Sequence, residues 1–204
     1  MWDLGNGASL RLATPKDLPN LLQICLKTSD AGADGSDLYT LKELVGDIYV
    51  TPYVLHQPEF AYLLEVDGTA SGYVLGVLDT AQFERDLSAN YWPEAVRKYS
   101  QIQQSLSDSD KRLLDLLFNM KKTTEDILSE FPSHLHIDIL EPFQGKGHGK
   151  QMINHLLGEL KISGSPGVHL HVSSKNTRAR AFYKKLGFDE IRVFADELIM
   201  ATQL

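Results

Sequence analysis

The most informative segment of this sequence is Gln144-Gly145-Lys146-Gly147-His148-Gly149-Lys150. It lies between an alternating, strand-like run at residues 134–140 and a helix-like run at residues 151–160. Glycines let the backbone turn tightly and approach a ligand closely. The free N–H groups and the dipole of the following helix favour an anion at such a loop. Lys146, His148 and Lys150 add donors and positive charge, so the segment predicts a pyrophosphate-binding loop.

A glycine-rich turn without a ligand is the simplest alternative for this segment. Other phosphate-binding loops fit it poorly. The sequence has no Gly-x-x-x-x-Gly-Lys-Ser/Thr, the motif of nucleoside-triphosphate P-loops. The spacing of Gly145, Gly147 and Gly149 also differs from Gly-x-Gly-x-x-Gly, and no early strand–helix–strand unit precedes it. Both observations argue against a dinucleotide-binding site of the Rossmann type.

Length and composition indicate one globular domain, residues 1–204, with 43% hydrophobic residues to form its core. No apolar run reaches the roughly 18 residues of a membrane span, and the N-terminus lacks the basic and then apolar pattern of a signal peptide. The single cysteine, Cys25, permits no intrachain disulfide and favours a reducing compartment such as the cytoplasm. Its helical register with Leu18, Leu21 and Leu22 predicts a small core residue rather than a nucleophile.

The net charge of −7 conceals an uneven distribution of charge. Residues 142–188 hold eight Lys or Arg and a single acid, Glu159, whereas the remainder holds 12 basic and 26 acidic residues. Positive charge therefore surrounds the glycine loop, which favours a small polyanionic ligand over nucleic acid, since nucleic acid needs a broad basic face. The alternative is a chance cluster on a solvated helix.

The order of the elements predicts an α/β fold with a mixed sheet. Strand-like segments occur at 9–13, 60–65, 70–78, 134–140, 168–172, 188–194 and 197–202, and helix-like segments at 14–28, 40–49, 151–160 and 176–186. Residues 79–133 have helical periodicity and separate the third strand from the fourth. We expect this insertion to act either as a lid beside the substrate or as packing at the edge of the domain.

A second motif follows the glycine loop and reads Asn176-Thr177-Arg178-Ala179-Arg180-Ala181-Phe182-Tyr183-Lys184-Lys185-Leu186-Gly187-Phe188. Together with Gln144-x-x-Gly147-x-Gly149, in this order and spacing, it resembles the signature pair of the GNAT acetyltransferase superfamily. The resemblance implies the GNAT fold, a mixed and mostly antiparallel central sheet flanked by helices, here with a helical insertion between strands 3 and 4.

A more specific resemblance is carried by residues 44–53, 58–65, 72–79 and 131–134. These segments are similar to the C-terminal acetyltransferase-like domain of animal O-GlcNAcases and its free-standing bacterial relatives. A glycoside hydrolase domain has no room in 204 residues, so the resemblance concerns the acetyltransferase-like part alone. The loop is degenerate in the animal domains, which look like pseudo-enzymes, whereas it is intact here. One departure is the single residue between Pro142 and Gln144, where many members have two.

The resemblance implies acetyl-CoA as the donor and a primary amine as the acceptor, in a direct transfer. It assigns the pyrophosphate to the N–H groups of residues 145–150 and the pantetheine to the backbone of Ile139 and Leu140. The glycine-loop residue Gln144 and three residues of the second motif, Asn176, Ala179 and Phe182, complete the predicted cofactor site. Tyr183 is the predicted general acid, because a phenol within hydrogen-bond reach can protonate the leaving thiolate. Its alternative role is that of a packed aromatic residue.

A general base is also needed, because an amine with a pKa near that of lysine, about 10.4, is protonated at neutral pH. Asp138, His136 and His134 share one face of the fourth strand by alternation. Asp138 is predicted as the base by resemblance, since the O-GlcNAcase-like domains carry an aspartate in this strand. Its alternative role is that of a buried ion-pair or capping residue. We expect no metal site among the histidines of the two central strands, because no Cys or Glu ligand pattern accompanies them.

The acceptor is predicted from charge alone. Residues 30–67 hold eight acidic side chains and one basic one, Lys42, which favours a cationic amine, either a lysine-bearing peptide or a small molecule. Neither a membrane nor nucleic acid is an expected partner. The competing hypothesis is a catalytically inactive module that binds CoA or another protein.

Overall fold

The computed structural model describes all residues, 1–204. Its strands are β1 (Trp2–Gly5), β2 (Ala8–Leu12), β3 (Ala61–Val66), β4 (Thr69–Val77), β5 (Ser133–Ile139), β6 (Gly167–Ser173), β7 (Asp189–Val193) and β8 (Glu197–Gln203). Its helices are α1 (Leu18–Thr28), α2 (Lys42–Tyr49), α3 (Thr51–His56), α4 (Thr80–Asn90), α5 (Trp92–Ser100), α6 (Asp108–Phe118), α7 (Glu125–Leu128), α8 (His148–Ile162) and α9 (Thr177–Lys185). No helix is long and apolar enough to cross a bilayer.

One sheet contains all eight strands, in the order β1-β2-β3-β4-β5-β6-β8-β7. Every neighbouring pair is antiparallel except β5 and β6, which are parallel. The predicted α/β fold, with a mixed and mostly antiparallel sheet flanked by helices, is confirmed. The parallel pair is joined through α8, as a parallel connection requires a crossover.

The first strand, β1, is absent from the sequence prediction. It pairs antiparallel with β2 through a tight turn at Asn6 and Gly7, whose φ angles are +53° and +74°. Asn-Gly is the strongest short hairpin signal, so this strand was detectable. The strand has only four residues, Trp2–Gly5, so its alternation of apolar and polar residues is too short to stand out. The helices of residues 79–133 consequently lie between β4 and β5 rather than between the third and fourth strands.

The core has two parts, one on each face of the sheet. Leu63 and Tyr73 face α1, α2 and the helices α5 and α6. Tyr62 and Val74, their neighbours along the strands, face α8 instead. Period-two alternation in β3 and β4 thus feeds both layers. The helix α8 packs so closely on β4 that a Cβ at Gly76 would lie 2.6 Å from a methyl of Leu156.

Asp110 joins the helical insertion to the rest of the fold. It completes a capping box with Ser107 at the start of α6 and also accepts hydrogen bonds from the N–H groups of Thr40 (3.0 Å) and Leu41 (3.1 Å). Burial favours the neutral acid, but these backbone donors and the Ser107 hydroxyl hold the pKa of Asp110 below its ordinary value. One carboxylate therefore anchors α6 against the segment that leads into α2.

Candidate active site

The site begins where β5 and β6 stop pairing. The parallel ladder contains only Ser133 with Val168 and His134 with His169, whereas β5 pairs with β4 as far as Ile139. The backbone of β5 from residue 135 onward thus has no strand partner on its β6 side. An unpaired strand edge of this kind can bind an extended ligand through main-chain hydrogen bonds.

The glycine loop connects this strand edge to α8. Gly145 and Gly147 adopt φ angles of +75° and +90°, which L side chains rarely tolerate, and the space above both is open. Gly147 is the N-cap of the 15-residue helix α8. None of the N–H groups from Gly145 to Lys150 has an acceptor in the protein. This geometry is that of an anion-binding helix start.

A first cavity of about 710 Å³ lies against this loop and the helix α9. Most of the predicted cofactor residues line it, namely Ile139, Gln144, Gly145, Gly147, Gly149, Lys150, Asn176, Ala179, Phe182 and Tyr183. The structure thus brings together two motifs that are separate in the sequence. Contact between Gly149 and Phe182 joins them, because a Cβ at Gly149 would lie 3.2 Å from the Phe182 ring.

Three predicted cofactor residues do not line the cavity. Leu140 packs against the core beside α1, and its N–H donates to the Ser71 carbonyl at 2.9 Å. The Lys146 ammonium lies 5.4 Å from the centre of the Phe143 ring. The His148 side chain is buried, with no partner for its Nδ1. The backbones of Lys146 and His148 still form part of the loop, but their side chains, the expected donors, are not at the cavity wall.

Basic residues of α9 add positive charge to that of Lys150 at the first cavity. Arg178 and Lys185 line the first cavity. Arg180 and Lys184 are instead paired with Glu190 at 2.9 Å and 3.1 Å. Helical spacing explains the division, because positions 178, 182 and 185 share one face of a helix. The same periodicity could have separated these side chains at the level of sequence.

Two of the predicted cofactor residues make local structural contacts. Gln144 donates from its amide to the Ile139 carbonyl at 2.6 Å, which holds the loop against the end of β5 and occupies that carbonyl. Asn176 caps α9 by accepting from the Ala179 N–H at 3.0 Å. Both side chains thus shape the cavity in the absence of any ligand.

A second cavity, of about 570 Å³, adjoins the first. The two cavities share seven wall residues, namely Ala31, Gly32, Ile137, Asp138, Asn176, Ala179 and Tyr183. Tyr183 belongs to the core beside α8, whereas Asp138 shares its face with Tyr73 in the core beside α1. The gap between β5 and β6 therefore lets side chains from opposite faces of the sheet meet.

Asp138 is held by a hydrogen-bond network. Tyr73 lies directly opposite it on β4, and the Tyr73 hydroxyl donates to Asp138 Oδ2. His136 Nε2 lies 3.1 Å from the same carboxylate oxygen and 3.1 Å from the Tyr73 hydroxyl. The ring of Tyr49 stacks on His136. Burial, and then the charge of Asp138, raise the pKa of Tyr73 well above its usual range, so its hydroxyl remains a donor.

Tyr183 is buried in the wall between the cavities, 8% exposed. Its ring contacts Phe182 and Phe188, and its hydroxyl has no hydrogen-bond partner in the protein. Burial, with a smaller contribution from Asp138, raises the pKa of Tyr183 above the ordinary value for tyrosine. The phenol is therefore protonated at neutral pH and free to donate into a cavity.

Two histidines of the central strands, His134 and His169, form hydrogen bonds within the protein. His134 lies between the hydroxyls of Tyr53 (3.0 Å) and Thr80 (2.7 Å), and burial lowers its pKa well below the usual value. His169 contacts the Phe131 carbonyl at 2.8 Å, and burial lowers its pKa to about 4. These rings are hydrogen-bonded within the protein.

Cys25 is buried in the core, as predicted. It also lines the second cavity beside His136 and Asp138, which the sequence did not reveal.

Comparison with known proteins places this geometry in a family. The model of the acetyltransferase (GNAT) family matches residues 120–188. The crystal structure of SsHAT is 33% identical in sequence, with a TM-score of 0.89 over 97% of this chain and 98% of that one. The structure of PaiA N-acetyltransferase from Thermoplasma acidophilum, in complex with coenzyme A, shares the fold at 13% identity, with a TM-score of 0.60 over 97% and 99% of the two chains.

Protein O-GlcNAcase from Rattus norvegicus is 29% identical over 185 residues, which are 90% of this chain. The chain spans only 20% of the length of that relative, so the comparison concerns one part of it. The sequence motifs, the sheet with its gap and the full-length match to SsHAT agree. This chain therefore belongs to the acetyltransferase (GNAT) family, and it resembles the acetyltransferase-like domain of the O-GlcNAcases.

Proposed function

We propose that this protein is an N-acetyltransferase that transfers the acetyl group of acetyl-CoA to a primary amine by direct attack. The observation that carries the proposal is the meeting of two cavities at Asp138 and Tyr183. One cavity carries the features of a polyanion site, and the other carries carboxylates and aromatic rings. A protonated phenol and a hydrogen-bonded carboxylate lie where the two join.

The first cavity fits coenzyme A. The free N–H groups of residues 145–150 match a pyrophosphate, and Lys150, Arg178 and Lys185 add positive charge around it. The unpaired edge of β5 suits the extended pantetheine arm. Bound there, acetyl-CoA supplies an acetyl group activated as a thioester. That PaiA binds coenzyme A in the same fold supports this assignment.

Asp138 acts as the general base and Tyr183 as the general acid of this reaction. Oδ2 of Asp138 already accepts from Tyr73, which leaves the rest of the carboxylate for the incoming ammonium. Asp138 takes a proton from the amine, and the adjacent, partly exposed His136 offers a route for that proton to solvent. Tyr183 gives its proton to the leaving sulfur, and the second proton that the nitrogen loses as the amide forms restores the phenol through solvent. The net reaction converts an ammonium and a thioester into an amide, a thiol and a released proton.

The second cavity supports a cationic acceptor. Three carboxylates line it, Asp138, Asp196 and Glu197. The rings of Tyr39, Tyr49 and Tyr53 form another part of its wall, and aromatic faces attract ammonium groups and pack against aliphatic stems. A primary amine on a short alkyl chain meets both requirements. Such a group occurs on lysine-bearing peptides and on small amines alike.

The first test is calorimetric titration with acetyl-CoA of the wild type, Gly147→Glu and Gly164→Glu. Gly164 is the matched control, since it too has a positive φ and open surroundings, but lies away from the cavities. A carboxylate facing the pyrophosphate costs several kcal/mol, so we expect Gly147→Glu to weaken binding by more than about 100-fold. Gly164→Glu should bind as the wild type does.

Turnover then separates an enzyme from a binding module. Release of free CoA thiol with a panel of primary amines would support the transferase. Acetyl-CoA binding without release of thiol for any peptide or small amine would favour the inactive module suggested by the likeness to O-GlcNAcase. Equal binding by the wild type and Gly147→Glu would contradict the assigned cofactor site.

A further inference from the structure

Three potential metal ligands converge beside the proposed base. The sulfur of Cys25, a ring nitrogen of His136 and a carboxylate oxygen of Asp138 all lie within 4.8 Å of one another. Cys25 comes from α1, whereas the other two come from β5. The structure therefore joins a cysteine, predicted only as a core residue, to the ionisable face of the central strand.

The distances fit one metal ion. Bonds from Zn²⁺ are about 2.3 Å to sulfur and 2.0–2.2 Å to nitrogen and oxygen, which places tetrahedral ligand atoms about 3.3–3.6 Å apart. His136 Nε2 and Asp138 Oδ2 are 3.1 Å apart. From at most 4.8 Å, the sulfur needs to approach the other two ligand atoms by up to about 1.3 Å. We propose that Cys25, His136 and Asp138 form a Zn²⁺ site that opens into the second cavity.

The second cavity gives the ion a route to the three ligands, and Tyr73 forms a hydrogen bond with one of them. All three ligands line the second cavity, so an ion can reach them from it. The Tyr73 hydroxyl contacts Asp138, His136 and Cys25, so it must move away from the last two when the ion binds. It can keep its hydrogen bond to Asp138, as outer-sphere partners of metal-bound carboxylates do. Thiolate and imidazole ligands favour zinc over magnesium or calcium.

Binding of Zn²⁺ releases one thiol proton and inhibits the proposed reaction. Cys25 releases its thiol proton to solvent as the zinc–sulfur bond forms, and nothing is oxidised or reduced. The ion occupies Asp138 and part of the second cavity, so it blocks acetyl transfer. That inhibition rests on the proposed function, whereas metal binding does not.

The test uses Co²⁺ alone as a spectroscopic probe on tag-free protein. Since Cys25 is the only cysteine, a thiolate-to-Co²⁺ charge-transfer band reports this site and no other. We expect the band in the wild type and its displacement by one equivalent of Zn²⁺. Cys25→Ser and Cys25→Ala should abolish it. His136→Gln should weaken Co²⁺ binding by more than the roughly 10–100-fold typical of losing an outer-sphere partner.

His171→Gln is the matched control, because His171 also lines the second cavity but pairs with Glu197 at 3.4 Å. It should keep the band, and thermal unfolding should show that every variant is folded. Absence of the band in folded wild type, or equal Co²⁺ affinity of His136→Gln and the wild type, would overturn the site. These readouts need no acetyl transfer, so failure of the proposed reaction and failure of the metal site are distinguishable.

Discussion

The glycine loop and the Asp138 network differ in how they are built. The loop presents consecutive backbone N–H groups, from Gly145 to Lys150, shaped by two positive φ angles. The network consists of side chains from separate elements, with Tyr73 on β4 and His136 and Asp138 on β5. An anion site needs only local backbone geometry, whereas proton transfer needs side chains that packing brings together. The two regions should therefore respond to different mutations.

Tyr183→Phe probes the junction of the two regions and should have the largest effect. Loss of the phenolic proton donor is expected to lower kcat by about 10²–10⁴-fold, the usual contribution of a general acid. Calorimetric affinity for acetyl-CoA should not change, because the ring and its packing remain. Phe182→Leu, on the same helix and at the loop contact, should instead weaken acetyl-CoA binding. An undiminished kcat in Tyr183→Phe would remove the assigned acid role.

Tyr73→Phe tests the Asp138 network alone. A hydrogen bond to a charged group is worth about 1.5–3 kcal/mol, so we expect kcat to fall by about 10–150-fold, with acetyl-CoA affinity unchanged. Tyr62→Phe is the control, since it is another buried sheet tyrosine whose hydroxyl donates to the Glu59 carbonyl. Similar losses of kcat in both variants would mean that general packing, and not the bond to Asp138, sets the rate.

Asp110→Asn tests how much the link between the helical insertion and the rest of the fold contributes to stability. Loss of the charged acceptor for the Thr40, Leu41 and Ser107 N–H groups should reduce the free energy of unfolding by about 1–3 kcal/mol at neutral pH. The folded-state pKa of Asp110 is lowered, so its contribution is present above the ordinary aspartate pKa of about 3.9 and is lost as the pH falls below it.

Urea titrations of wild type and Asp110→Asn across this pH range provide the measurement. The difference in unfolding free energy should shrink as the pH falls. A difference that is constant with pH would mean that the charge of Asp110 does not contribute to the anchor.

Arg178→Ala should have the smallest effect of these variants, and Arg180→Ala is its control. Arg178 is exposed at the first cavity, so its ion pair with a phosphate is worth at most about 1 kcal/mol, or about 5-fold in acetyl-CoA affinity. Added salt should erase the difference from wild type. Arg180→Ala, which loses only the pair with Glu190, should bind acetyl-CoA normally. Equal weakening by both variants would indicate a non-specific charge effect.

Much of the fold was readable from local patterns. The loop at residues 144–150 and the helix at 176–186 carried the family resemblance, and alternation placed His134, His136 and Asp138 on one face. The strand β1 was missed even though its Asn6-Gly7 turn was visible. Arg178 and Lys185 could have been separated from Arg180 and Lys184 by helical phase. The positions of the Lys146 and His148 side chains could not be predicted from the sequence, because burial and ring contacts follow from the path of the loop.

The glycine loop, the helix caps and most strands and helices follow from short segments of the chain, because glycine spacing, caps and periodicity act over a few residues. The second motif predicted Tyr183 as the acid, and the resemblance to the O-GlcNAcase-like domains predicted Asp138 as the base. Three contacts required the folded chain: Tyr183 and Asp138 line the same two cavities, Tyr73 donates a hydrogen bond to Asp138, and Cys25 lies beside His136. Those contacts join α1, β4, β5 and α9 across a gap in the sheet, and no local interaction along the chain specifies them.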